Sequence, residues 1–408
     1  MESQIQPYPI PVETYLIRQA DSVLTPALVI YPEIIDANIS ATLRLLGGHQ
    51  DRWRPHIKTA KLEFTVRQLV NRGITSLKCA TTLELLVACQ AGAKDVLVAY
   101  PMQGANVRRV REIAGQYRSA RISALIESPE AISQWAGSSV GIFLDVNPGM
   151  DRTGIQQERT AEITKLALSV GQAGLEFRGL HYYDGHLAHL PLSERSIAAH
   201  RGYDRLLEIV TNLERSGITG IEVVTAGTPA FPCTNSYAGF RSGRFVHRAS
   251  PGTIVYSDLN SLSQLPPDAG YQPAAIVVSR VISHPAANRF TCDAGHKALA
   301  IDCGVPNCAV AGGGDLLPGS PSEEHLPIAV PGGAHRPDLG ELVYLIPRHV
   351  CPTVNNFNEA LIVRNGEIIG VEPVSARGRE WPLLTSSPHS TAPHSPAPHS
   401  KDGKMVEV

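Results

Sequence analysis

The sequence predicts a (β/α)8 TIM-type barrel followed by a C-terminal β domain, and two observations carry that expectation. From residue 25 to 265, short β-branched runs alternate with amphipathic helical stretches, and no Gly-rich dinucleotide fingerprint interrupts them. Beyond residue 265 the chain turns to apolar runs joined by Gly/Pro loops, with no strong helical period between them. For the first part, a doubly wound open sheet is the alternative.

Residues 27–30 read as the strand that opens the barrel, and residues 33–46 as its helix, with apolar residues at helical spacing. The pattern continues as a helix over 62–71, a strand over 76–80, a helix over 82–91, a strand over 95–99 and a helix over 106–117. Further strands are expected over 121–126, 141–146, 175–182 and 221–225, and further helices over 158–173 and 193–215. In the second part, 274–283, 296–303, 341–346, 360–364 and 367–371 read as strands, and 312–322 as a loop. The expected division is an N-terminal extension (1–24) packing on the β domain, a barrel (25–265), a β domain (266–380) and a Ser/Pro/His-rich tail (381–408). That tail is too poor in apolar residues to order itself.

Acids and bases are interspersed to a net charge of −2, so neither a nucleic-acid surface nor a membrane-binding basic face is expected. An aromatic share of 6% argues against a base-stacking platform. No run reaches about 18 apolar residues, the length a membrane-spanning helix needs. The first twenty residues lack the basic start and apolar run of a signal peptide. Seven irregularly spaced cysteines fit reduced thiols in the cytoplasm rather than a disulfide framework. Cys79, Cys89 and Cys303 are expected as buried apolar thiols.

Barrel enzymes carry their chemistry at the carboxyl ends of the strands, so polar residues there come first. Arg54-Pro55-His56-Ile57-Lys58-Thr59-Ala60-Lys61 ends the expected second strand. A lysine at that place is desolvated enough to form an imine, although Lys58 and Lys61 also read as ordinary surface lysines. Asp145-Val146-Asn147-Pro148-Gly149-Met150-Asp151-Arg152 delivers an arginine suited to an anionic oxygen, or else a solvated one on a tight turn. His181-Tyr182-Tyr183-Asp184-Gly185-His186-Leu187-Ala188-His189 crowds three histidines and two tyrosines at one strand end. Gly227-Thr228 and Gly252-Thr253 follow β-like runs, where small residues let backbone N–H groups approach a phosphate. His349 and Cys351, two apart on an expected extended segment, would face the same way and could share a metal.

Taken together, PHIKTAK, DVNPGMDRTGI, HYYDGH, TAGTP, SPGTIVYSD, DAGHKA, SEEH and PRHVCPTVN stand in one order along about residues 22 to 375. In that order they resemble the D-threonine aldolase and D-serine dehydratase group of fold-type III pyridoxal-phosphate enzymes, relatives of alanine racemase. The resemblance implies an alanine-racemase-like barrel with a β domain, working as a homodimer. It implies pyridoxal 5'-phosphate, with Lys58 as the Schiff-base lysine and Arg152 on the cofactor's phenolic oxygen. Tyr183 would sit at the pyridine ring, and Gly227, Thr228, Gly252 and Thr253 would hold the phosphate. His349 and Cys351 match the group's divalent-metal pair, for Zn, Mn or Mg. Two features depart from the pattern. Ser250 stands where many relatives have arginine, and His-x-Cys resembles the dehydratases whereas typical D-threonine aldolases have His-x-Asp.

The implied activity is a metal-activated lyase acting on a small β-hydroxy-D-amino acid. Retro-aldol cleavage to glycine and an aldehyde is the first expectation, with His186 or His189 as the base for the hydroxyl proton. Elimination of water to a keto acid and ammonia, with Lys58 taking the α-proton, is the alternative. Racemisation and a non-catalytic cofactor carrier rank behind both.

Overall fold

The computed structural model describes residues 10–384, so most of the expected tail (385–408) and the first nine residues lie outside the described residues. Strand β1 (Ala27–Ile30) pairs antiparallel with a strand at 275–278 and parallel with one at 360–362. It therefore belongs to the second sheet and does not open the barrel, as the alternation had suggested. Leu28, Val29 and Ile30 are all buried. An apolar run buried on both faces carries no periodicity that says which sheet it joins.

The barrel is built from β2 (Ser76–Cys79), β3 (Asp95–Pro101), β4 (Arg121–Ile126), β5 (Gly141–Asn147), the short β6 (Ile155–Gln156), β7 (Phe177–Tyr182), β8 (Glu222–Thr225) and β9 (Val246–Ala249). The order β2-β3-β4-β5-β7-β8-β9 is parallel throughout, with β6 appended to β5. The eighth stave is the segment from Trp53 to Ile57. Bridges Trp53–Ala249 and His56–Lys78 tie it between β9 and β2. Arg54 N–H donates to the Ala249 carbonyl (2.9 Å), Lys78 N–H to Pro55 (2.9 Å) and Ile57 N–H to Lys78 (2.8 Å). Pro55 has no N–H to give, which leaves this stave with isolated bridges rather than a continuous ladder.

Helices α1 (Pro32–Leu45), α2 (Glu63–Asn71), α3 (Thr82–Gln90), α4 (Ala105–Gln116), α5 (Ile132–Trp135), α6 (Thr160–Gln172) and α7 (Leu192–Arg215) bury apolar stripes against the strands. Inside, the barrel is layered, as alternation of side chains along each strand requires. A middle layer of Leu97, Leu125, Phe143 and Val224 is apolar and separate from the core outside the strands. The layer beneath it is ionic. Arg54, fully buried, grips Glu222 through Nε (2.7 Å) and Nη2 (2.9 Å) and reaches Asp95 through Nη1 (3.0 Å). Arg178 closes on Asp95 (2.5 Å) and Ser123 (2.6 Å), and Arg248 pairs with Glu222.

The second sheet is organised on β10 (Ala275–Ala286), with β11 (Arg289–Cys292), β12 (Cys308–Val310), β13 (Leu317–Pro318), β14 (Leu326–Ala329), β15 (Leu342–Pro347), β16 (Glu359–Arg364) and β17 (Glu367–Pro373). β10 pairs with β1 and β15 along its first half and with β11 along its second, register shifts marking the bend. The N-terminal segment lies on this domain: Ile17 N–H donates to the Tyr344 hydroxyl (3.1 Å) and Arg18 N–H to the Gly366 carbonyl (2.8 Å). The strand expected over 296–303 is absent. Local bonds from Ala298 and Leu299 N–H to Gly295, and from Gly304 N–H to Ile301, make turns of it. Ala298 and Leu299 are buried as a plug under the sheet, while Ile301 is exposed. Conversely β13 falls within 312–322, expected as a loop.

Carboxylates opposite Arg54 set a stability test. The guanidinium groups hold the Asp95 carboxyl well below its usual range, although burial alone would raise it. Arg54→Met should lose about 3–5 kcal/mol in urea unfolding at pH 7, because it strands buried carboxylates. A depressed folded-state pKa contributes stability above the unfolded value of about 4 and loses it as pH falls below. The gap between wild type and variant should therefore narrow in acid.

Candidate active site

Four residues beyond Arg54, the closing stave turns at the barrel's carboxyl end and presents Lys58. Its side chain is exposed and has no hydrogen-bond or ion-pair partner among the described residues. Lys61, the other lysine of the string, is buried instead. It has a left-handed backbone (φ 48°) and donates to Glu84 (3.0 Å) and the Ala376 carbonyl (3.1 Å). The two lysines are thus separated by structure: one is a fixed ion-pair partner, the other a free amine at the mouth.

Lys58 stands among groups that feel its charge. His56 is pushed well below its usual pKa by burial, then by Lys58 and Lys78. Lys78 was not singled out from the sequence. It projects from β2 to within 3.4 Å of His181 Nε2, and burial followed by Lys58 lowers it to about 7. His181 in turn meets Asp145 Oδ1 through Nδ1 (2.7 Å), and Asp145 Oδ2 accepts from Thr153 (2.7 Å). As the single cation of a four-residue strand, Lys78 carries no local sequence signal that could have found it.

Arg152 and Tyr183 line one cavity with Asp145, Thr153, His181 and Met150. The Arg152 guanidinium lies 4.9 Å from the centre of the Tyr183 ring, a stacked cation. Tyr183 is pressed against two glycines: a Cβ on Gly227 would come within 2.7 Å of its ring, and one on Gly185 within 2.5 Å. His186 lines a neighbouring cavity of about 300 Å³ with Gln157, Tyr182, Arg201 and Arg205. Its Nδ1 is buried without a partner, and burial followed by His189 lowers its pKa. His189 is not brought into either cavity. It is exposed, with Nδ1 bonded to the His186 carbonyl (2.7 Å).

After β8 and β9 the chain makes two close turns. Ala226 has φ 63°, strained for a residue with a Cβ, and delivers Gly227 and Thr228. Gly252 packs on the closing stave so tightly that a Cβ there would come within 2.2 Å of the His56 carbonyl oxygen. The Thr228 hydroxyl is buried with no hydrogen-bond partner. Such an orphan is costly unless a ligand satisfies it, and its place after the late strands is where barrels bind phosphate. Ser250 is taken up by the frame: its hydroxyl donates to the Arg54 carbonyl (2.6 Å).

His349 and Cys351 do not lie on an extended segment. α8 (Phe231–Ser236) and α9 (Leu259–Gln264) are followed by a short helix, α10 (Val350–Asn355), with His349 at its N-cap and Cys351 in its first turn. The two side chains nonetheless act on each other, Cys351 favouring a charged imidazole and His349 a charged thiol. The Cys351 sulfur lies 3.0 Å from the hydroxyl of Thr59, the residue after Lys58, and 3.6 Å from that of Thr253. Cys303, expected as a buried thiol, is half-buried and 3.6 Å from His349 Nδ1, and Asp302 Oδ2 lies 2.6 Å from the same nitrogen. Burial disfavours a charged His349, but Cys303, Cys351 and Asp302 outweigh it and push its pKa up to about 12. Thiol, imidazole and carboxylate donors in one place fit a divalent metal.

The family described as alanine racemase, N-terminal domain, matches residues 30–259, more than half of the chain. The chain belongs to that family. A serine dehydratase domain matches residues 274–363, and within the family the chain groups with the D-threonine aldolases and D-serine dehydratases. It is a pyridoxal-phosphate-dependent lyase with the fold-type III architecture of barrel and β domain. It is 28% identical over 374 residues to a D-threonine aldolase from an Arthrobacter species, covering 87% of this chain and 93% of that one. A 3-hydroxy-D-aspartate aldolase of Paracoccus denitrificans is 27% identical over 376 residues, covering 87% and 92%. The crystal structure of D-threonine aldolase from Filomicrobium marinum superposes with a TM-score of 0.80 at 26% identity, covering 91% and 99%. A D-threo-3-hydroxyaspartate dehydratase from a Delftia species shares the fold, with a TM-score of 0.70 at 20% identity, covering 89% and 99%. A cysteine-to-alanine variant of that dehydratase has been solved in a metal-free form. Among the described residues, no helix is long and apolar enough to cross a membrane.

The orphaned hydroxyl gives a direct test of the phosphate cradle. Thr228→Val loses no protein hydrogen bond, so unfolding of the cofactor-free protein should stay within about 0.5 kcal/mol of wild type. Pyridoxal phosphate should bind roughly tenfold more weakly in equilibrium dialysis, the worth of one hydrogen bond to a charged group.

Proposed function

We propose that the chain cleaves small β-hydroxy-D-amino acids by D-threonine aldolase-type retro-aldol reaction, giving glycine and an aldehyde. The 3.0 Å contact between Cys351 and Thr59 sets a metal-donor pair beside the free amine of Lys58, which supports a metal-assisted lyase step at the α- and β-carbons; the similarity to aldolases carries the choice of cleavage. A substrate whose α-carbon is handled at Lys58 then offers its β-hydroxyl toward that pair. The similarity to the Arthrobacter and Paracoccus aldolases supports the same reading.

In this reading Lys58 carries the cofactor covalently, Arg152 holds its anionic ring oxygen and Tyr183 packs at the ring. Gly227, Thr228, Gly252 and Thr253 hold the phosphate. Pyridoxal phosphate, when bound, supplies an electron sink for the bond broken at the α-carbon. A divalent ion on His349 and Cys351 supplies a Lewis acid at the substrate hydroxyl. His186, kept neutral by its lowered pKa, accepts the hydroxyl proton. The exposed His189, which the sequence offered as the other candidate base, serves to orient His186 through its backbone carbonyl.

Elimination of water, as in a D-serine dehydratase, is the second reading, and the thiol at position 351 favours it. The D-threo-3-hydroxyaspartate dehydratase of Delftia, 22% identical over 359 residues, is a relative in keeping with it. There Lys58 Nζ would take the α-proton, and the product would be a keto acid with ammonia. Two copies of the chain would form the working unit in either case.

Product identification separates the two. Metal-loaded protein with D-threonine should yield glycine and acetaldehyde; 2-oxobutyrate with ammonia would replace the aldolase reading by the dehydratase one. Exhaustive chelation should abolish turnover, and retained activity would discard the metal role. Lys58→Ala should lose both turnover and the visible band of lysine-bound cofactor, while Lys61→Met should keep the band; the reverse pattern would move the anchor to Lys61.

A further inference from the structure

We propose that Cys303 is a third protein ligand of the metal, giving a Cys2His set of Cys303, His349 and Cys351 with one position left open for substrate. This rests on the reading that His349 and Cys351 hold an ion, and adds a donor from a different loop. The turn at residues 301–304 follows the apolar plug of Ala298 and Leu299, so its backbone is anchored in the β-domain core. From that anchor Cys303 reaches His349.

Asp302, Cys303 and His349 are three donors whose atoms all lie within 4.8 Å of one another, and Cys351 would turn onto an ion held there. The Cys303–His349 separation itself matches coordination. Zn–N bonds of about 2.0–2.1 Å and Zn–S bonds of about 2.3 Å, at a tetrahedral angle, set nitrogen and sulfur about 3.5–3.6 Å apart. Cys303 Sγ lies 3.6 Å from His349 Nδ1. Asp302 Oδ2, at 2.6 Å from the same nitrogen, is too close to be a second ligand of that ion and is instead a hydrogen-bond acceptor. Metal binding displaces the Nδ1 proton and the thiol protons into solvent, and Asp302, about half exposed, gives up its bond to His349.

The surroundings of Cys303 are those of a ligand rather than of a core thiol. The Asn260 side-chain amide donates to its sulfur (3.2 Å), as outer groups do to metal thiolates. The side chain is half-buried, leaving it free to turn toward an ion. Five of the other cysteines are fully buried and have their thiols pushed up by burial. Two thiolates and one imidazole also select zinc over manganese or magnesium, which prefer oxygen donors.

Zinc K-edge X-ray absorption on the zinc-loaded full chain counts sulfur ligands without interference from a coloured cofactor. Wild type should show two sulfurs at about 2.3 Å, with Cys303→Ser and Cys351→Ser each falling to one. Zinc should also bind Cys303→Ser at least tenfold more weakly in chelator competition, and Cys303→Ala should behave the same. One sulfur in wild type, unchanged by Cys303→Ser and lost in Cys351→Ser, would overturn the role of Cys303 while leaving the His349–Cys351 pair standing. A sulfur count unaffected by Cys351→Ser would remove that pair as well.

Discussion

The buried guanidinium of Arg54 is the constraint on which the site depends. It sits on the one barrel stave that cannot form a regular ladder, because Pro55 interrupts the donors. Side-chain bonds to Glu222 and Asp95, from β8 and β3, do the joining that backbone bonds do elsewhere in the sheet. Its carbonyl takes the Ser250 hydroxyl, which ties the same stave to the turn bearing Gly252. Lys58 follows four residues on. The position of a flexible lysine is thus set by a rigid pair of ion bridges one layer below an apolar stratum of the barrel.

That layering also explains the electrostatic contrast within one barrel. Beneath Leu97, Leu125, Phe143 and Val224, every charge has an opposite partner and serves closure. Above them, Lys78, His56 and His181 crowd near Lys58, and burial, then the neighbouring cations, depresses the pKa of each of these three groups. The uncharged forms are thus favoured in the free protein, and an anionic guest, as phosphate and carboxylate groups are, would draw protons onto these groups. The apolar stratum keeps this titratable layer apart from the ion-paired one underneath.

Much of this was legible in the sequence, for identifiable reasons. Strands and helices of the barrel follow from period and breaker residues, and Lys58, Arg152, Tyr183 and the glycine turns follow from motif strings at strand ends. What escaped was information that lies between distant segments. Nothing local distinguishes β1 from a barrel strand, since its partners lie some 250 and 330 residues away. The apolar run before Cys303 reads as a strand because burial without alternation looks alike in a strand and in a plugged turn. Cys303 passed as core because a free thiol is most often buried, and its neighbour His349 is 46 residues distant. Lys78 was hidden by its shortness of context, a single cation in a four-residue strand.

The placement of β1 carries a consequence for how such a chain is made. Synthesis delivers residues 27–30 first, yet β16, one of the two strands that flank them, emerges only after the whole barrel and most of the β domain. Until then this earlier-made apolar strand has at least one unpaired edge, the kind of edge that invites association with other chains. Completion of the last strands therefore shelters the first, and both ends of the barrel become stitched into one sheet. The fold is finished where it began.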